Sequence, residues 1–283
     1  MNINSEWAGA DEPIVRAEGV RQIFPAHDGS DGLLALETVD LQIDRGEMVA
    51  FIGPSGCGKS TLLNIIGGMI PATEGTAWLG REKIVAPNPK RIAYIFQESA
   101  LLPWSTVLDN IKVGLEFQGV PASERQERAA EALAAVGLSR FAASYPHQLS
   151  GGMKQRVALA RALSLRTDIM LMDEPFASLD EQTRMVFGEE LSRMLTERGK
   201  TIILVTHSLA EAVFLSDRVF VFTARPGRIK SVIRIDEPHP RRPEFMTSDK
   251  FNKLRNTNYE LLREEVLSAM DSDMSIGSAA TGG

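Results

Sequence analysis

Gly53-Pro54-Ser55-Gly56-Cys57-Gly58-Lys59-Ser60-Thr61 lies between the apolar run Met48-Val49-Ala50-Phe51-Ile52 and the stretch Leu62-Leu63-Asn64-Ile65-Ile66. A buried strand that turns through glycines into a helix is the setting of a phosphate loop. Glycines 53, 56 and 58 permit backbone angles that turn successive N–H groups to one concave side, and the helix N-terminus adds partial positive charge. In such a loop Lys59 reaches the β- and γ-phosphates of a nucleotide and the Ser60 hydroxyl sits on Mg²⁺. A glycine-rich turn without a ligand needs no G-x-x-x-x-G-K-S spacing, and that spacing is complete here. Cys57 takes a variable position, where its requirement is to be small.

The 283 residues are 43% hydrophobic and 24% charged, enough for a globular protein with a sizeable core. Against 37 acidic residues stand 31 basic ones, a net charge of -6, so no global positive field draws the chain to nucleic acid or anionic lipid. A single cysteine forms no internal disulfide, which suits a reducing compartment. The longest apolar runs, such as Ile202-Ile203-Leu204-Val205, are strand-length, so no membrane span is expected. Residues 1–13 are polar and acidic with no apolar core; they read as a disordered lead-in rather than a signal peptide.

Ile14 to Phe24 and Leu33 to Ile43 alternate apolar and polar residues, as antiparallel strands do, around a loop in which His27 is a solvated histidine. Phe24, at the end of the first strand, is either a core residue or a ring that stacks on an adenine. Further strands are expected near Ala77-Trp78-Leu79 and from Arg91 to Gln97. Gln97 ends its strand, where a carboxamide either ligates Mg²⁺ and positions water or is an ordinary polar terminus.

From Ser105 to Leu149 the spacing becomes helical. Val107, Ile111 and Leu115 share a face, Ser123 is placed to cap a second helix, and Ala130, Leu133, Ala134 and Gly137 continue an apolar stripe. Leu101-Leu102-Pro103-Trp104, at the entrance, is a loop of apolar bulk that either binds a partner or plugs the core. Leu149-Ser150-Gly151-Gly152-Met153 opens a long helix; Ser150 is an N-cap, and the glycines leave N–H groups open to an anion.

Ile169-Met170-Leu171-Met172 runs into the adjacent carboxylates Asp173 and Glu174. Asp173 suits Mg²⁺ through its water shell, and Glu174 suits polarisation of an attacking water. Ser178-Leu179-Asp180 leads into another helix, and the strand Thr201 to Thr206 ends at His207, either structural or catalytic, with Ser208 capping the next helix. Arg225-Pro226-Gly227 is a turn between strands at Arg218 to Ala224 and Arg228 to Asp236. His147 and His239 lie in loop-like contexts without an evident task. Pro238 to Pro243 reads as a linker, Ser248 to Met270 as a helix, and Ser272 to Gly283 as disordered.

Taken in order, the phosphate loop, Gln97, Leu149-Ser150-Gly151-Gly152, Asp173-Glu174, Ser178 to Asp180 and His207 resemble the ATP-binding subunit of an ABC transporter across Ile14 to Asp236. The resemblance implies an α/β fold: a RecA-like P-loop ATPase core with an antiparallel β subdomain and a helical signature subdomain inserted at about 98–160, followed by a C-terminal linker, helix and tail over 237–283. It implies that Phe24 stacks on adenine, that Gly53 to Thr61 bind ATP, and that Ser60, Gln97 and Asp173 hold Mg²⁺. Leu149, Ser150, Gly151, Gly152 and Met153 then cover the ATP of a second, head-to-tail copy, with Ser178, Leu179 and Asp180 as the turn between subunits. Met153 stands where many members carry glutamine, which leaves the serine and glycine contacts intact. Glu174 activates water, His207 contacts the γ-phosphate, and Lys59 and Gln97 complete the catalytic set. Leu101 to Trp104 become a contact for the transmembrane permease, which places the chain peripherally on the cytoplasmic face of the inner membrane.

Leu101 to Asn110 and Arg225-Pro226-Gly227-Arg228-Ile229 further resemble the nitrate, sulfonate and taurine branch of importers, which work with an extracytoplasmic solute-binding protein. One ATPase domain, a short helical insertion and an acidic balance disfavour a soluble relative acting on nucleic acid or the ribosome. A small-molecule kinase is disfavoured by Glu174 beside Asp173, because a kinase must keep water from the γ-phosphate.

Overall fold

The computed structural model describes residues 12–26 and 32–280, so most of the expected lead-in, and His27, lie outside the described residues. In chain order the strands are β1 (Val15–Phe24), β2 (Leu33–Ile43), β3 (Met48–Ile52), β4 (Glu74–Leu79), β5 (Glu82–Lys83), β6 (Ile92–Ile95), β7 (Ile169–Asp173), β8 (Thr201–Val205), β9 (Arg218–Phe222) and β10 (Ile229–Arg234). The helices are α1 (Lys59–Ile66), α2 (Val107–Phe117), α3 (Ala122–Ala135), α4 (Gly151–Ser164), α5 (Glu181–Arg198), α6 (Leu209–Leu215) and α7 (Asp249–Ala280). Two sheets result, a four-stranded one ordered β2-β1-β4-β5 and a six-stranded one ordered β10-β9-β3-β8-β7-β6. The small sheet is antiparallel; the large one is parallel except at β10.

Strands β3, β7, β8 and β9 are buried along their whole length, because a parallel sheet is covered on both faces. Their period-two alternation divides the core in two. Met48, Ala50, Ile52, Met170, Met172, Ile202 and Leu204 face α2 to α6, while Val49, Phe51, Ile169, Leu171, Ile203 and Val205 face α1 and the antiparallel sheet. All of β3, β6, β7 and β8 run the same way, so their C-terminal ends deliver the phosphate loop, Gln97, Asp173-Glu174 and His207 to one edge. That edge is where open α/β sheets bind ligands. The parallel core sheet with a separate antiparallel sheet and an inserted set of helices is the α/β architecture expected from the sequence.

Val107, Ile111 and Leu115 are buried together as expected, but Ser123 is not a cap. α3 starts from Pro121, whose carbonyl accepts from Glu124 and Arg125 and whose fixed φ suits a helix entry. The stripe of α3 is also rotated: Ala129, Ala132, Leu133 and Val136 are buried, whereas Ala130, Ala134 and Gly137 are exposed. With alanines on several faces, hydrophobicity alone does not phase this helix; contact with α2 and α4 does.

The stretch read as a linker, Pro238 to Pro243, is fixed to the core. Arg241 is buried, and its guanidinium donates to the carbonyls of Val213, Phe214 and Ser216 at 2.7, 3.0 and 2.8 Å, satisfying the end of α6. Ser272 onward, expected to be disordered, continues α7 as far as Ala280. One glycine and no proline interrupt residues 272–280, so helix propagation meets no stop there.

Candidate active site

Lys59 is buried in the centre of the phosphate loop, its ammonium donating to the carbonyls of Gly53 and Pro54, each at 2.9 Å. Gly58 has φ 100, a left-handed conformation open to glycine. A methyl there would lie 2.6 Å from Leu36 Cδ2 and 2.8 Å from the Ala35 carbonyl oxygen of β2. Cys57 is buried behind the loop, and burial pushes its thiol pKa up despite Lys59. β2 also pairs Leu33 with Phe24, so Phe24 lies roughly 10 Å along the sheet from this contact. Phe24 is exposed and is therefore not a core residue.

Ser60 Oγ donates to Asp173 Oδ1 at 3.0 Å, joining the phosphate loop to the tip of β7. Burial pushes the Asp173 carboxyl above the usual range, with Glu174 adding to the effect and Ser60 and Lys59 opposing it. Next to it, Glu174 has φ 49, a conformation that costs a non-glycine residue energy and that clusters at functional sites. Its N–H is fixed to the Val205 carbonyl at 2.9 Å. The carboxylate meets His207 Nε2 at 2.5 Å on one oxygen and accepts from Gln97 Nε2 at 3.2 Å on the other. Thus the tips of β6, β7 and β8 converge on Glu174. A hydroxyl, a carboxylate and a carboxamide stand together here, the hard oxygen donors that suit Mg²⁺ alongside phosphate oxygens.

His207 is framed from behind: Thr206 Oγ1 donates to Glu211 and accepts from the Ser208 N–H at 3.0 Å, and Arg184 lies 3.4 Å from Glu211. Ser208 caps α6 as expected. Burial raises the pKa of Glu211, opposed by the hydrogen bond from Thr206 and the charge of Arg184.

Ser150 caps α4 by accepting from the Met153 N–H at 3.3 Å. Gly151 and Gly152 pack on Ser178 and Leu179; a methyl on Gly152 would lie 2.7 Å from Leu179 Cδ2. Asp180 in turn caps α5 through Thr183 at 2.9 Å. Among the described residues, no hydrogen bond joins Leu149–Met153 to Gly53–Thr61 within one chain.

Three contributors went unread in the sequence. Buried Gln155 donates to the Phe96 carbonyl at 3.3 Å, and Arg161 donates to Ala100 and Ser99 at 2.9 and 3.1 Å, so α4 holds the loop after Gln97. Arg225 donates to the Gly56 carbonyl of the phosphate loop. All are long-range contacts, and the sequence around them carries no signal for their partners.

The stretch Leu101 to Trp104 divides in two. Leu101 packs against the core, and Leu102 lines a groove and is pinned by Asn110, which accepts from its N–H at 2.7 Å. Pro103 and Trp104 face outward, Trp104 at 74% exposure. The adjoining apolar groove, roughly 580 Å³, is lined by Met69, Phe96, Leu102 and Phe117 among others, and opens between the core sheet and α2.

A family model described as ABC transporter matches residues 36–177. The chain is 44% identical over 256 residues to an uncharacterised ABC transporter ATP-binding protein of Methanocaldococcus jannaschii, covering 90% of this chain and 94% of that one. It is 43% identical to the taurine import ATP-binding protein of Rhizobium johnstonii, covering 87% and 92% of the two chains. To the nitrate import ATP-binding protein of Synechocystis it is 40% identical, over 89% of this chain and 38% of that longer one. Among solved structures, a dimeric ATP-binding cassette in a post-hydrolysis state with ADP and Pi superposes with a TM-score of 0.72 at 34% identity, covering 79% of this chain and all of that one.

Proposed function

The chain belongs to the ABC transporter ATP-binding family and is an ATPase, and from that premise we propose that it energises uptake of a small anionic or zwitterionic solute of the nitrate, sulfonate or taurine type through a separate permease. The observation that carries the catalytic part is the convergence of Ser60, Asp173, Gln97, Glu174 and His207 at one edge of the sheet.

In this reading the phosphate-loop N–H groups and Lys59 take the β- and γ-phosphates, and Phe24 stacks on the adenine. Ser60, Gln97 and, through its water shell, Asp173 would hold Mg²⁺, which would supply charge neutralisation on the phosphates. Glu174 accepts a proton from the attacking water as the bond to the β-phosphate oxygen breaks, releasing ADP and phosphate. His207 contacts the γ-phosphate and shares the orientation of Glu174. Among the described residues Ser150 and Gly152 make no hydrogen bond to their own phosphate loop, which supports a head-to-tail dimer in which each signature helix closes over its partner's ATP. ATP is then the adhesive of the dimer, and its hydrolysis reopens the pair.

The permease face is the groove beside Trp104. Exposed apolar residues around a concavity of this size mark an interaction site. Among the described residues no helix is long and apolar enough to cross a membrane, and we assign the chain a peripheral place on the cytoplasmic face, below permease subunits fed by an extracytoplasmic binding protein. Trp104→Ala is expected to leave basal hydrolysis within about twofold while weakening co-purification with the permease by about thirtyfold, the usual scale for losing an exposed tryptophan anchor. Equal loss of both would mean that Trp104 supports the fold instead.

The importer reading is tested by uptake of labelled taurine, alkanesulfonates and nitrate in cells lacking this chain. Loss of one uptake, restored by the wild-type chain, supports it and names the solute; unchanged uptake of all three overturns this solute class.

A further inference from the structure

Arg225-Pro226-Gly227 marks a branch of the family by resemblance, yet the chemistry above gives it no task. Arg225 Nε and Nη2 donate to the Gly56 carbonyl at 3.1 and 3.0 Å. Two residues on, Gly227 sits where a methyl would lie 1.9 Å from the Cys57 carbonyl oxygen, so only glycine lets the turn approach the phosphate loop this closely. The turn is itself fixed to β2: the Gly227 N–H donates to Ala35 at 2.9 Å, and the Glu37 N–H donates to Gly227 at 3.0 Å. On its far side α7 takes hold. Glu265 accepts from the Ala224 N–H at 2.9 Å and pairs with Lys230 at 2.7 Å, gripping the chain before and after the turn.

We infer that Arg225 is a positioning residue for ATP binding, orienting the Gly56–Cys57 peptide of the phosphate loop, and that α7 controls this through Glu265. The physical reason is the rigidity of the peptide plane. Fixing the Gly56 carbonyl fixes the whole Gly56–Cys57 plane, whose N–H closes a turn onto Pro54, and with it the bend from which the Gly58 and Lys59 N–H groups are presented to a phosphate. Gly56 has φ 73 and no side chain to restrain that plane. The other contact to it, from the Cys57 N–H to the Pro54 carbonyl, is longer at 3.3 Å. Arg225 thus supplies the stronger restraint, and its charge adds a positive field at the loop.

This inference rests on ATP binding at the phosphate loop, and the test is the steady-state kinetics of the full chain with ATP varied at saturating Mg²⁺. Arg225→Ala is expected to raise KM for ATP about fivefold, the scale of one net hydrogen bond, with kcat within about twofold. Arg225→Lys keeps one donor and the charge and recovers part of the loss. Glu265→Ala raises KM in the same direction, and the double variant has the KM of Arg225→Ala rather than the product of the two effects. An unchanged KM in Arg225→Ala, or a fall in kcat alone, overturns the role of Arg225. Multiplying effects in the double variant overturn control by α7. Wild-type protein without saturable ATP hydrolysis removes the phosphate-loop reading itself, a failure visible before any variant is made.

Discussion

Glu174→Gln is expected to lower the rate of ATP hydrolysis by about 10²–10⁴-fold, the range lost when a positioned general base is removed. The substitution is isosteric, and glutamine keeps an acceptor for Gln97 and a group within reach of His207, so the geometry at the strand tips persists. ATP binding depends on the phosphate loop and survives, since Lys59 and the loop N–H groups are untouched. With binding intact and hydrolysis blocked, ATP accumulates between two copies. Size-exclusion chromatography with ATP is therefore expected to show a stable dimer for Glu174→Gln and a predominantly monomeric wild type after turnover. A variant that hydrolyses ATP at the wild-type rate would refute the assignment of Glu174. Loss of hydrolysis together with loss of ATP binding would assign Glu174 to the binding site.

Arg241→Ala is expected to destabilise the protein by about 3–5 kcal/mol, because the removed guanidinium leaves buried carbonyls without donors. Val213, Phe214 and Ser216 at the end of α6, with Glu237 at 3.1 Å, all accept from it. In a chain of this size each kcal/mol shifts the melting temperature by about 2–4 °C, so a fall of roughly 6–20 °C is expected by thermal denaturation. Lysine does not rescue it, since one ammonium cannot replace a planar fork with donors on several sides. Burial pushes the Arg241 pKa down to about 10, which still leaves the side chain charged at neutral pH. Burial would raise the Asp217 carboxyl, but the His239 ring 3.3 Å away and the hydrogen bond from the Met48 N–H outweigh this and hold it below its ordinary value of 3.8. The stabilisation from Asp217 is accordingly full above that value and lost as the pH falls through the lowered one. A melting temperature of Arg241→Ala within 2 °C of wild type would show that the segment is a tether after all.

His239 illustrates why part of this was not legible in advance. As a lone histidine between prolines it offers no task, yet in the fold its Nε2 lies 3.3 Å from Asp217. The same holds for the whole stretch from Pro238 to Pro243. Its composition is that of a linker, and only the arrival of the α6 C-terminus gives Arg241 carbonyls to satisfy. Helix α3 fails to read for a different reason: alanines on more than one face leave its orientation to α2 and α4.

The amino-acid sequence by itself determined the strand-turn-helix of Met48 to Ile66, the order of the later motifs, the buried parallel strands and the caps Ser150 and Ser208. These rest on local chemistry: glycines for a tight loop, uninterrupted apolar runs for strands buried on both faces, hydroxyls for orphan N–H groups. Tertiary structure alone decided which groups meet: Ser60 with Asp173, Glu174 with His207 and Gln97, Arg225 with Gly56, and Glu265 with Ala224. Each pair is separated by tens of residues or more, and its distance is set by how strands order within the sheet and by which helix covers which face. Local propensity carries no information about either, because both are fixed only when the two halves of the core close on the same sheet.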